Sequence, residues 1–260
     1  MISEITFALF RVCLIQKFKL FLLCSIFEKL LFVNTLLMGS YFPKLFEMNF
    51  SYKDENYDSL KTFSEYVMGF GYRMEEHKVL TKDGYILSLF RIAGRITDTS
   101  RKKKPVLLMH GAYDSAFTFF INSQDSKNLP FKLSEEGYEI WLGNNRGNQF
   151  SYEHINKKEY NYSNFSSKFW EFSLDECATY DLVSIIDYII QFTKYERIIY
   201  IGHSQGTLIF FLLACENLNY INSKISTFIG LSPMLYTKNA KCSFYHLISF
   251  LHVTEICYFL

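Results

Sequence analysis

The pentad Gly202-His203-Ser204-Gln205-Gly206 sets a hydroxyl between two glycines, where one apolar run stops and another begins. Arg197 to Ile201 is β-branched and aromatic and reads as a strand, whereas Thr207 to Ala214 continues with leucine, phenylalanine and alanine at helical length. A serine on so sharp a strand-to-helix turn is forced into a strained backbone conformation with its hydroxyl displayed at the carboxyl edge of a sheet. The flanking glycines follow from the same geometry, because side chains there would collide with neighbouring backbone. The pentad therefore reads as a nucleophile elbow, with Ser204 as the attacking group and Gly202, His203 and Gly206 as its frame. A bare pentad of this kind also occurs as a simple glycine turn; the strand before it and the helix after it favour chemistry.

Catalysis by serine needs a base to take the proton, an acid to orient the base, and donors for the oxyanion that develops on the carbonyl. One donor is the backbone N–H after the nucleophile, Gln205; the other comes from the loop after the third strand, His110-Gly111-Ala112-Tyr113, where Ala112 is the candidate. His110 itself reads as a strand-end histidine satisfied by a backbone partner, ahead of any chemical role.

The elements that must position these groups follow from pattern. Arg73 to Leu80 and Tyr85 to Ile92 are strands joined by Thr81-Lys82-Asp83-Gly84, with Asp-Gly supplying the positive φ of a tight hairpin. Pro105 to Met109 and Tyr138 to Leu142 are short apolar runs suited to central strands covered on both faces. Ser173 to Phe192 is the clearest helix: Ser173 and Glu176 make a capping box, and Ala178, Leu182, Ile185, Ile186 and Ile189 form one apolar stripe. Asp175, Asp181 and Asp187 on that helix read as solvated or dipole-facing acids. Helix Gln205 to Glu216 and a last strand, Ile225 to Leu231, complete the pattern. An antiparallel start followed by alternating strands and helices predicts an α/β fold with a mostly parallel sheet.

Composition narrows the function classes. With 260 residues, 49% hydrophobic and 18% aromatic, the chain can bury a sizeable core. A net charge of +1 makes no case for nucleic acid, and the short basic run Arg101-Lys102-Lys103-Lys104 reads as a solvated loop. The cysteines, at 13, 24, 177, 215, 242 and 257, show no CxxC and no His/Cys spacing suited to zinc, so no metal site is expected. Cys177 and Cys215 fall in helical patterns as buried thiols, while Cys242 and Cys257 could pair in an oxidising compartment.

Residues 1–43 form a segment of their own. Arg11, Lys17 and Lys19 precede the apolar run Leu20 to Phe27, Glu28-Lys29 interrupts, and Leu30 to Pro43 carries charge nowhere. Neither run has the eighteen or so uninterrupted residues of a membrane span. A secretory signal ending near Gly39-Ser40, an uncleaved anchor and an apolar packing helix all remain open. Sequons at Asn49, Asn161 and Asn164 agree with secretion. Residues 44–70 read as a connector with room for a short helix, 71–233 as the α/β domain, and 234–260 as a cap or tail.

Five blocks, "GYRMEEHKVLTKDGYILSLFRI", "PVLLMHGAYDS", "GYEIWLGNNRGNQFSYEH", "FWEFSLDECATYDL" and "YIGHSQGT", occur in the order and approximate spacing of the acid lipases, the gastric and lysosomal family of α/β-hydrolases. Over Gly71 to Pro233 the chain resembles that family. The resemblance implies hydrolysis of triacylglycerols or cholesteryl esters at a lipid surface, without metal or organic cofactor, in the secretory or lysosomal route. It implies Ser204 as nucleophile and Ala112 and Gln205 as oxyanion positions. It also raises a difficulty, since α/β-hydrolases order their triad serine, acid, histidine. After Ser204 the acids are Glu216 and Glu255 and the histidines His246 and His252. Glu216 lies about three turns along the nucleophile's own helix, away from the active edge, and Glu255 follows both histidines. His246 and His252 read as surface or lid residues. The expectation is a chain that stops as the family's lid insertion begins, carries the nucleophile and oxyanion hole, lacks a recognisable triad acid and base, and turns over little. The alternative is a non-catalytic lipid- or membrane-binding relative, for which the apolar stretch Phe244 to Leu260 speaks.

Overall fold

The computed structural model describes residues 63–98, 103–121, 127–164 and 167–235. The leader with Cys13 and Cys24, the Asn49 sequon, Cys242, Cys257, His246, His252, Glu255 and the apolar tail lie outside the described residues.

Helix α1 (Phe63–Gly69) leads into the hairpin β1 (Tyr72–Leu80) and β2 (Tyr85–Arg95), followed by β3 (Lys104–Met109), α2 (Leu129–Glu135), β4 (Tyr138–Gly143) and a two-residue strand β5 (Glu153–His154). α3 (Leu174–Glu176) runs through a π-helical segment, Cys177–Leu182, into α4 (Val183–Thr193). β6 (Ile198–His203), α5 (Gln205–Glu216), α6 (Leu218–Lys224) and β7 (Ile225–Leu231) complete the order. The seven-stranded sheet runs β1-β2-β4-β3-β6-β7, with β5 beside β2. β4 meets β2 antiparallel, while β3 pairs parallel with both β4 and β6, and β6 parallel with β7.

The central strands are mostly apolar because both of their faces are covered; the exception inside β4, the buried Glu139, pairs with Arg91. Leu107, Met109, Trp141, Tyr200 and Ile198 face a cluster with Ala178, Ile185, Ile209 and Leu213 from the helices on one side. Val106, Leu108, Ile140, Leu142 and Ile201 face the other side, with Phe63 and Val67 of α1, Phe120 and Phe131. There the Phe63 ring stands 5.0 Å from Phe90 and 5.3 Å from Phe120, edge to face, a geometry that adds to burial worth about 1.5–3 kcal/mol per large side chain.

The hairpin turn forms as expected: Gly84 takes φ +99 and its N–H donates to Thr81 O at 3.1 Å. A β-carbon on Gly84 would stand 2.7 Å from His154 Nε2, so β5 packs directly over the turn. The capping box also forms, with Ser173 N donating to Glu176 at 2.6 Å and Ser173 Oγ accepting from Asp175 N at 3.0 Å. Asp175 and Asp187 are exposed, but Asp181 corrects the sequence reading. It is fully buried in the π-helical segment, accepting from Arg146 N at 2.9 Å and Arg146 Nε at 2.8 Å. Its spacing from Ala178 and Ile185 sets it beside the apolar stripe, and the arrival of a distant guanidinium makes its burial tolerable. Cys177 is a buried thiol, and Cys215 is half-buried. Among the described residues no helix is long and apolar enough to cross a membrane.

Candidate active site

Ser204 caps α5 with φ 49 and ψ −109, a backbone region that costs an ordinary residue about 1–3 kcal/mol. Packing around the turn sustains that strain. Ser204 N donates to Leu231 O of β7 at 2.9 Å, and Thr207 Oγ1 donates to Ser204 O at 2.6 Å. From below, the buried Tyr200 hydroxyl donates to Gly206 O at 2.5 Å, its ring packed 4.9 Å from Phe210. The glycines are steric requirements. A β-carbon on Gly202 would lie 2.7 Å from the Gly206 carbonyl carbon, and one on Gly206 would lie 2.5 Å from Met109 O. The second contact means that helix α5 rests on the end of β3, the strand that leads into the Gly111-Ala112 loop.

That loop lies next to the serine. A β-carbon on Gly111 would stand 3.0 Å from His203 Nδ1 and 3.5 Å from Ser204 Cβ. Ala112 and Tyr113 are exposed, Tyr113 with φ 55 and 91% of its surface accessible. Among the described residues neither the Ala112 nor the Gln205 N–H donates to a protein acceptor. Gly202, His203, Ser204, Gln205, Gly206, Gly111 and Ala112 are thus gathered at one carboxyl edge of the sheet. Glu216 sits exposed at the far end of α5, away from that edge.

The Ser204 hydroxyl has one partner among the described residues, Met234 Sδ at 3.8 Å, and no histidine or carboxylate among them bonds to it. Met234 N in turn donates to Thr207 Oγ1 at 2.9 Å, so the segment after β7 folds back over the elbow.

Behind the edge are polar groups that the sequence reading passed over. Arg146, in the loop after β4, donates through Nη2 to Asp83 Oδ1 at 3.0 Å as well as to Asp181, and its guanidinium lies 3.9 Å over the Tyr85 ring. Burial alone would lower its pKa, yet the two carboxylates hold it above the ordinary arginine value. Burial pushes the Asp181 carboxyl up to about 6, against the pull of Arg146. Asp83 is held below the usual carboxylate range, the hydrogen bonds from Arg146 and Thr81 outweighing its partial burial. The only sequence signal for this group is a basic residue in a glycine-rich loop, GNNRGN, with two acids elsewhere. Asn145, next to Arg146, is 3% exposed, and both polar atoms of its side chain lack a protein partner among the described residues.

The family model described as "Partial alpha/beta-hydrolase lipase region" matches residues 63–123. The gastric triacylglycerol lipase of Mus musculus is 40% identical over 192 residues, covering 73% of this chain and 47% of the lipase. Lipase member J of Homo sapiens is 40% identical over 68% of this chain and 48% of its own length. A Crotalus adamanteus protein named as a lysosomal acid lipase/cholesteryl ester hydrolase is 38% identical, over 70% and 44% respectively. The chain spans about half the length of the curated relatives it matches. Among solved structures, a laboratory evolved variant of potato epoxide hydrolase superposes with a TM-score of 0.45 at 18% identity, over 68% of this chain and 46% of that one. With its elbow, its mixed sheet and about 40% identity to gastric lipases, the chain belongs to the acid lipase family of α/β-hydrolases.

Proposed function

We propose that Ser204 is the nucleophile of a lipid ester hydrolase, attacking the carbonyl of a triacylglycerol or cholesteryl ester while the N–H groups of Ala112 and Gln205 hold the oxyanion. One observation carries the reading: a strained serine on a strand-to-helix turn, set beside a glycine loop whose next N–H, like that of Gln205, has no protein acceptor among the described residues. Donors aimed at a developing oxyanion are worth about 2.7–4 kcal/mol each when removed. The names of the relatives favour lipid esters as substrates and a secretory or lysosomal setting. No metal or organic cofactor takes part in this reading.

A serine hydroxyl is a weak nucleophile until a base removes its proton. Among the described residues the Ser204 hydroxyl meets only the Met234 thioether, which cannot serve as that base. A Ser204 hydroxyl without such a base is expected to turn over esters slowly, several orders of magnitude below a serine hydrolase with a complete triad. A chromogenic short-chain ester assay on the purified chain, with Ser204→Ala as control, tests both parts. Slow hydrolysis that Ser204→Ala abolishes supports the assignment; rates unchanged by the substitution refute it, and fast Ser204-dependent turnover refutes the expectation of slowness.

The second reading is a non-catalytic lipid-binding protein, favoured by Tyr113, 91% exposed, and Ile121, 76% exposed, on the stretch that follows β3. Vesicle flotation that survives in Ser204→Ala while ester turnover is nil in both proteins would favour it.

A further inference from the structure

We propose that His110 is a positioning residue: its neutral ring, with the proton on Nδ1 and the lone pair on Nε2, ties the loop that carries Ala112 to the segment following β4. The catalytic consequence rests on the reading of Ser204 as nucleophile; the tie itself does not.

The tautomer follows from partners that can play only one role. His110 Nδ1 lies 2.7 Å from Gly111 O, and a carbonyl can only accept, so Nδ1 carries the hydrogen. His110 Nε2 lies 3.2 Å from Asn145 N, and a backbone N–H can only donate, so Nε2 presents its lone pair. Asn148 Nδ2 makes a second approach to Nε2 at 3.2 Å. Its orientation is determined independently, because Asn148 Oδ1 accepts from Phe150 N and Ser151 N, both at 3.0 Å, leaving the amino group to face the histidine. Asn144 extends the chain of bonds: Oδ1 accepts from Ala116 N at 3.0 Å and Asn148 Nδ2 at 2.9 Å, while Nδ2 donates to Ser88 O at 2.9 Å. The loop after β3 is thereby bonded at both ends, at His110 and at Ala116, to one polar cluster beyond β4.

An imidazolium cannot accept. A proton on Nε2 would turn the Asn145 and Asn148 contacts into donor against donor in a site where His110 is 3% exposed. Burial lowers the affinity of the ring for that proton, and the charge of His203 across the elbow acts in the same direction; the Gly111 carbonyl and Asp114 on the same loop act oppositely, and the net shift is downward. Asn144, Asn145 and Asn148, the groups facing the ring from the β4 side, do not titrate. The tie therefore persists below the pH at which an ordinary histidine charges and is lost once His110 takes a second proton.

Two-bond 1H–15N correlation spectra of the full chain read the ring directly. The expected result is an Nδ1–H tautomer at pH 7 that takes up its second proton only below the ordinary histidine pKa of about 6.5; an Nε2–H tautomer, or titration at the ordinary value, overturns the proposal. Hydrogen exchange then tests the tie in two variants. Glutamine can place an acceptor where Nε2 stands and phenylalanine cannot, so His110→Phe should speed exchange of Asn145 N–H and the 110–121 segment by roughly tenfold, with His110→Gln close to the parent. Equal exchange in the two variants overturns the proposal. Labelling of Ser204 by a p-nitrophenyl alkylphosphonate should follow the same order, parent and Gln above Phe. A parent chain that is not labelled at all refutes the nucleophile assignment, while spectra and exchange still decide the role of His110.

Discussion

Replacing Arg146 with methionine keeps much of the side chain's volume and removes a charge that joins three segments of the fold. The guanidinium reaches Asp181, fully buried in the π-helical segment, and Asp83 in the β1–β2 turn, and it covers the Tyr85 ring. Without it Asp181 keeps the Arg146 N–H bond and becomes a buried carboxyl with no cation. Breaking such a pair costs about 3–5 kcal/mol, a large share of a typical domain's stability. The sign with pH can be worked out. Asp181 already has a folded pKa of about 6, above its ordinary 3.8; in the variant it rises further, so the folded state has to give up more free energy to ionise it as pH climbs. Asp83, held low by Arg146 in the parent, contributes stability that is present above the unfolded pKa and lost as pH falls through the folded one; the variant lacks that contribution. The Asp181 effect makes the gap between parent and variant widest near pH 8 and narrower toward pH 4, whereas the Asp83 contribution stays nearly constant over that range and is lost only below the ordinary carboxylate pKa. Urea unfolding followed by circular dichroism at pH 8, 6 and 4 measures it. A gap below about 1 kcal/mol at pH 8, or one independent of pH, would refute the assignment of this triad as a buried structural bolt.

Three smaller tests address the elbow and the hairpin. Gly206→Ala drives a β-carbon into the β3 backbone at 2.5 Å from Met109 O, so it should cost about 1–3 kcal/mol and lower Ser204 labelling; Gly69→Ala, with nothing within 4 Å, is the control and should be neutral or mildly stabilising in thermal melts. Tyr200→Phe deletes the bond to Gly206 O and should lower stability by about 1 kcal/mol in urea titration, with a loss near zero counting against the support of the turn from below. Burial lowers the pKa of His77, Glu75 pulling the other way. The unfolded chain then binds that proton more readily, so stability is highest above about pH 6.5 and falls on acidification; His77→Phe should flatten that part of the profile, measured as melting temperature from pH 7.5 to 5.

What was legible in the sequence was whatever a short window encodes. The elbow needs glycine on both sides of a serine, and the collisions that an added β-carbon would meet at Gly202 and Gly206 explain why those residue types stand there. The hairpin turn, the capping box and the apolar stripe are likewise determined by neighbours a few residues apart, and each formed with close to the expected bounds. Elements too short for periodicity escaped notice: β5 has two residues, and α2 and α6 have seven each. The π-helical segment escaped as well, because Ala178 and Leu182, four residues apart, fall near one face in an α-turn and in the wider π-turn alike.

Only tertiary structure decided the polar partnerships. Arg146 and Asp181 are 35 residues apart and Arg146 and Asp83 are 63 apart. Asp181 flanks the apolar stripe, three residues after Ala178 and four before Ile185, whereas Asp187 stands on the opposite, exposed face; what the sequence does not show is the guanidinium that the β4 loop delivers to it. His110 could be recognised as a strand-end histidine, but its tautomer depends on Asn145 and Asn148, donors from another loop. Apolar burial and turn geometry are properties of a stretch of chain, whereas a hydrogen bond or ion pair belongs to two groups at once, so it is specified only when folding brings both to the same place.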